Sequence, residues 1–131
     1  MVQLKVLTGH TSGVSAVALL KNGDLVSSSY DKTLRLWSLK TGEVKKILKG
    51  HTSCVSAVVV MPNGELVSGS WDTSIKLWNL DNGKYDVKYS IHAHKSKVIT
   101  LIALPNGDLA SGSWDRKIKI WEMRTCKILL L

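Results

Sequence analysis

Phenylalanine is absent from this 131-residue chain, and cysteine and proline occur only twice each. Cys54 and Cys126 make neither a metal-ligand spacing nor a disulfide framework, so packing must hold the fold together. Acid is scarce against base: ten Asp and Glu face eighteen Lys and Arg, for a formal net charge of +8. Long apolar runs are missing too. The most extended, "VSAVVVM" and "VITLIAL", fall far short of the roughly 20 residues a membrane-spanning helix needs. The N-terminal "MVQLKVLTGHTSG" lacks the unbroken apolar core of a secretory signal. The expected compartment is the cytoplasm, with the nucleus as the alternative.

The excess base is scattered. Lys5, Lys21, Lys45, Lys76, Lys88 and Lys119 fall in different surroundings, and Lys45, Lys46 and Lys49 are the densest group. Without a block of five or six like charges, a solvated surface is the better expectation than a nucleic-acid or acidic-membrane footprint.

What the sequence has in abundance is itself. "LVSSSYDKTLRLW" at 25–37 returns as "LVSGSWDTSIKLW" at 66–78 and as "LASGSWDRKIKIW" at 109–121. His10, His51 and His94 each precede an aspartate (Asp31, Asp72, Asp115) by 21 residues, and a tryptophan (Trp37, Trp78, Trp121) follows each aspartate by 6. Only the stretch from tryptophan to the next histidine varies, from 14 residues to 16. Loops absorb insertions and packed elements do not, so that stretch contains a loop.

Each copy reads as four strands. "VSAVALL", "VSAVVVM" and "VITLIAL" are short, β-branched and apolar on both faces, as buried strands are. Asn22-Gly23, Asn63-Gly64 and Asn106-Gly107 follow them, and this dipeptide predicts a type I′ hairpin turn. A second strand ("DLVSSS", "ELVSGS", "DLASGS") and a third ("TLRLW", "SIKLW", "KIKIW") flank an aspartate turn. "KTGE" and "DNGK" supply further turn chemistry before a more polar fourth strand, "VKKIL" or "DVKYSI". Residues 2–7, "VQLKVL", look like an outer strand without its own sheet, and 127–131, "KILLL", like the last strand of the third sheet.

With Gly9-His10, Gly50-His51, the Ser-x-Asp turns and the closing tryptophans, the chain resembles the WD-repeat β-propeller family over essentially its whole length. The resemblance implies an all-β fold of three four-stranded antiparallel blades. Residues 2–7 would be the outer strand of a preceding blade, 8–50 the first blade, 51–92 the second and 93–131 the third. Three wedges cannot close a ring, so an open arc or partial propeller is expected, completed by further blades or by self-association. Three departures stand out. Ser38, Asn79 and Glu122 replace the usual aspartate after the closing tryptophan, Ala93 replaces the glycine before His94, and Cys126 stands where the other copies have Gly42 and Gly83. If that site needs a positive φ, a Cβ costs about 1 kcal/mol or more.

The resemblance further implies a hydrogen-bonded chain in each blade, from aspartate to histidine to serine to indole N–H. The expected sets are Asp31, His10, Ser29 and Trp37, then Asp72, His51, Ser70 and Trp78, then Asp115, His94, Ser113 and Trp121. Buried carboxylates and indole N–H groups need partners, so a satisfied network fixes one geometry. Serine, histidine and aspartate also make hydrolytic triads, but three copies and no G-x-S-x-G elbow argue against catalysis. His92-Ala93-His94 is too sparse for a metal site. No catalytic residue, metal or cofactor is expected.

The residue before each turn aspartate is aromatic: Tyr30, Trp71 or Trp114. By resemblance these share the upper rim of the channel with first-strand positions Gly13 and Ser15, Cys54 and Ser56, and Lys97 and Ile99. Rigid aromatics amid small polar residues suit a binding hot spot. The expected function is a non-catalytic scaffold that holds peptide or protein partners at this rim, with binding of nucleic acid or an acidic membrane surface as the alternative.

Overall fold

The Val-rich runs and the two strands that follow each of them all pair as β-ladders in the computed structural model, which describes residues 1–81 and 83–123. No helix occurs among the described residues. The first sheet holds β1 (Val14–Leu19), β2 (Leu25–Ser29), β3 (Leu34–Trp37) and β4 (Val44–Leu48), in that spatial order. The second holds β5 (Val55–Val60), β6 (Leu66–Ser70), β7 (Ser74–Trp78) and β8 (Val87–His92). The third holds β9 (Val98–Ala103), β10 (Leu109–Ser113) and β11 (Ile118–Trp121). Every ladder is antiparallel, and the register repeats. Leu25 faces Trp37, Leu66 faces Trp78 and Leu109 faces Trp121. The strand expected at 127–131 and the site of Cys126 lie outside the described residues.

One local expectation is corrected. The Asn-Gly turns are not type I′, because only Gly23, Gly64 and Gly107 take positive φ (93°, 92° and 91°). Leu20 N–H bonds to the Asp24 carbonyl, so three residues remain in the loop rather than two. A three-residue loop needs one left-handed residue at its end, and glycine supplies it without strain. The asparagine instead accepts the N–H of Asp24, Glu65 or Asp108 through its side-chain oxygen. Residues 2–7, expected as the outer strand of a preceding blade, join no ladder among the described residues. A lone strand needs a ladder to join, and the sheet it would complete is not among the described residues. The segment is instead tied by the Lys5 ammonium, which donates to the carbonyls of Leu39 and Lys40 at 2.6 and 2.8 Å.

The core lies between sheets, not within them. Leu20, Val26, Leu34 and Leu36 of the first sheet meet Val55, Val58, Leu66 and Trp78 of the second. Met61, Val67, Ile75 and Leu77 of the second meet Val98, Leu101 and Leu109 of the third. The sheets approach along β1, β5 and β9. The seams are also pinned by serine hydroxyls. Ser15 donates to the Val55 carbonyl at 2.6 Å, and Ser56 donates to that of Val98.

Burial follows position in the arc rather than residue type. Ile75 is 4% exposed, while its counterpart Ile118 in the third sheet is 78% exposed. Val55 and Val98 are fully buried, while their counterpart Val14 in the first sheet is 56% exposed. The arc therefore ends in two apolar faces built to the same pattern as the two seams, and it does not close.

Candidate partner-binding rim

A buried relay braces each sheet from behind the rim. In the first sheet His10 Nδ1 lies 2.7 Å from Asp31 Oδ2, and His10 Nε2 lies 2.6 Å from Ser27 Oγ. Trp37 Nε1–H donates to the same Ser27 oxygen at 2.8 Å. His51, Asp72, Ser68 and Trp78 repeat this at 2.8, 2.7 and 2.8 Å. His94, Asp115, Ser111 and Trp121 repeat it at 2.7, 2.7 and 2.9 Å. The tautomer follows from the inventory of hydrogens. A carboxylate only accepts, so Nδ1 must donate to it. In a neutral ring Nε2 is then bare and accepts the serine hydrogen, while the serine oxygen accepts the indole N–H. The neutral ring then carries its proton on Nδ1, facing the carboxylate.

The serine in the relay is not the expected one. Ser27, Ser68 and Ser111 occupy it, and Ser29, Ser70 and Ser113, two residues on, do not. Register is the reason. Ser27 pairs with Arg35, diagonally beside Trp37, whereas Ser29 lies past the last β2–β3 pair. Ser29, Ser70 and Ser113 cap the turn instead, each accepting the N–H of its aspartate at 3.0 Å. The connectivity serine–histidine–aspartate is that of a hydrolytic triad, yet Ser27, Ser68 and Ser111 are 4%, 0% and 1% exposed. Their oxygens already hold an indole N–H, so a substrate carbonyl has no approach to them. His92 Nδ1 bonds to Thr73 Oγ1 at 2.7 Å while His94 is committed to its relay, so the two do not converge on a common ligand.

The relay aspartate also posts the rim loop. Asp31 Oδ2 accepts the Thr11 N–H at 3.1 Å, and Oδ1 accepts the N–H and hydroxyl of Thr33 at 2.9 and 2.6 Å. Between these anchors Lys32 stands at φ 77°, as Thr73 and Arg116 do at 76° and 73°. Each left-handed non-glycine residue costs about 1–2 kcal/mol, which the carboxylate's bonds on both sides offset. Burial pushes these carboxyls up, but the bonds outweigh it. Asp31 is held below its ordinary 3.8 by the Thr33 hydroxyl, then His10 and the N–H groups of Thr33 and Thr11. Asp72 is lowered by His51 and Ser74. Asp115 is lowered to about 2 by His94 and the N–H groups of Lys117 and Lys95.

A depressed folded value means stability that is full above the unfolded pKa and lost as pH falls through the folded one. The chain is therefore expected to lose stability as pH falls from 3.8 toward about 2. Asp72→Asn should flatten part of that slope in urea titrations across this window. An unchanged slope would show that Asp72 is not held as the carboxylate.

On these posted loops the aromatics form a ladder. The N–H groups of Tyr30, Trp71 and Trp114 donate to the carbonyls of Gly13, Cys54 and Lys97 at 2.9, 2.9 and 3.1 Å, fixing the three rings on one rim. Tyr30 and Trp71 have centroids 5.4 Å apart, and Trp71 and Trp114 6.3 Å apart. Lys97 Nζ sits between the two indoles, 3.8 Å from the Trp71 centroid and 4.4 Å from that of Trp114. Ile99 and Trp114 line a shallow hollow of about 300 Å³ on the open face of the third sheet. Ser15 and Ser56 belong to the seams, since their hydroxyls are engaged by the neighbouring sheet's carbonyls.

The sequence model for the WD domain, G-beta repeat, matches residues 1–38, 42–79 and 85–122. The chain belongs to the WD40-repeat family. WD40 propellers generally mediate protein–protein interaction and typically act as non-enzymatic scaffolds. Among solved structures, the crystal structure of the WD40 β-propeller domain of Doa1 is similar to 87% of this chain, with a TM-score of 0.80 and 29% identity. The chain spans 38% of that structure's length. Its three WD40 repeats thus match one arc of a larger propeller, in line with the two open faces. Two features of these repeats escaped sequence reasoning. One is the choice of serine, since the run Ser27-Ser28-Ser29 offers two on the same strand face. The other is the insertion of Lys97 between the rings, for which no sequence signal exists.

Proposed function

We propose that the chain is a non-catalytic scaffold that holds a peptide or protein partner on the rim formed by Tyr30, Trp71 and Trp114. The observation that carries this is the aromatic ladder itself. Three rings from three sheets stand in contact at one edge, with Tyr30 and Trp114 exposed at 45% and 61%. Rings that served only as core would be covered. Large preorganised aromatics bind with little loss of side-chain freedom, which is why they dominate interfaces. The test is selection of displayed random peptides on the immobilised chain. Trp71→Ala and Trp114→Ala are expected to lose the selected peptides while costing about 1 kcal/mol or less in stability. Loss of folded protein in both variants would show that the rings are packing elements instead.

The same proposal assigns the open faces to further blades or to another copy of the chain. Ile118 and Ile120 on one end, and Val14 and Val17 on the other, are exposed counterparts of seam residues. The isolated 131-residue chain is therefore expected to associate in light scattering at micromolar concentration. A folded, stable monomer would contradict this account of the faces.

A further inference from the structure

We propose that the rim selects an acidic peptide segment, with a carboxylate of the partner docking on the Lys97 ammonium; this rests on the rim being the partner site. Six cations lie on the loops at this end of the sheets: Lys32, Lys49, Lys95, Lys97, Arg116 and Lys117. The only acids on those loops are Asp31, Asp72 and Asp115. Each turns inward, with 6–9% of its side chain exposed, to serve its relay. The rim therefore displays base and conceals its acid.

Lys97 is the focus of that charge. Indole faces cover two of its sides, and its ammonium has no carboxylate or hydrogen-bond acceptor among the described residues. An ammonium carries three hydrogens, so the open side calls for an acceptor with negative charge. The fold does not need a lysine there. The corresponding residues are Gly13 and Cys54, and the position's shared structural task is done by a backbone carbonyl. The aromatic spacing favours peptide over nucleic acid. Trp71 has Tyr30 against it and Lys97 packed between it and Trp114, so a base finds no free pair of ring faces to enter. A carboxylate on Lys97, with an apolar neighbour on the exposed Trp114 ring, uses what remains open.

The experiment is the same displayed-peptide selection on the full chain, read for composition. The pool recovered on wild type should be enriched in Asp and Glu. A synthetic peptide from that pool should bind Lys97→Gln about tenfold more weakly, while Lys97→Arg retains most of the affinity. Raised salt should weaken binding to wild type more than to Lys97→Gln. Peptides that need Trp114 but show no acidic enrichment would overturn this inference and leave the rim intact as the partner site. Peptides indifferent to Trp114→Ala, or no peptides at all, would count against the rim itself. Displacement of the acidic peptide by a single-stranded oligonucleotide of tighter affinity would assign the cation to phosphate and overturn the peptide assignment.

Discussion

Trp78→Ala is expected to destabilise the chain by about 3–5 kcal/mol, a large share of the roughly 5–15 kcal/mol that holds a domain folded. The indole is buried between the first two sheets, among Leu20, Leu36, Val55 and Leu66. Removing it opens a cavity in that seam and takes the indole donor from Ser68. Trp121→Ala makes the control. Trp121 holds the same place in its sheet and the same bond to Ser111, yet it is only half-buried. Its loss should cost clearly less. Urea unfolding followed by far-ultraviolet circular dichroism measures both. Trp121 also packs at the edge of the seam between the second and third sheets, so equal costs would mean that the deeper burial of Trp78 contributes nothing.

Ser68→Ala is the second large effect. One hydroxyl serves two buried groups, the Trp78 N–H and the His51 Nε2, at 2.8 and 2.7 Å. Alanine leaves both without a partner, at about 1–3 kcal/mol each. Ser70→Ala removes a turn cap on Asp72 and a bond to the Cys54 carbonyl, and about 1 kcal/mol is expected. The order of the two midpoints decides which serine belongs to the relay. A larger loss for Ser70→Ala would reverse the assignment.

That pair of serines also marks the border between what the residues alone disclose and what they do not. The constant spacings from histidine to aspartate to tryptophan place three of the four relay members, because rigid packing tolerates no insertion between them. The serine is ambiguous because positions 27 and 29 share a strand face, and only the pairing of Ser27 with Arg35 separates them. The Val-rich runs announce buried strands. They do not say which face meets which neighbour, and so Ser15 and Ser56 read as rim residues when they pin the seams. Exposure is similarly opaque. Ile75 and Ile118 occupy the same place in the repeat, and only the presence of a following sheet buries one of them. The aromatic positions Tyr30, Trp71 and Trp114 are plain in the sequence, whereas the lysine between two of them requires loops brought together from different sheets.

The relay ties the rim loops of each sheet to its strands, and its proton positions report on it most directly. A long-range proton–nitrogen correlation spectrum of the uniformly labelled chain at mildly alkaline pH shows which ring nitrogen of each histidine is protonated. Three of the four histidines, His10, His51 and His94, should carry the proton on Nδ1, with Nε2 accepting from serine. Spectra in which these three rings show Nε2–H, or exchange rapidly between tautomers, would mean that the aspartate–histidine–serine–tryptophan relay does not hold the blades.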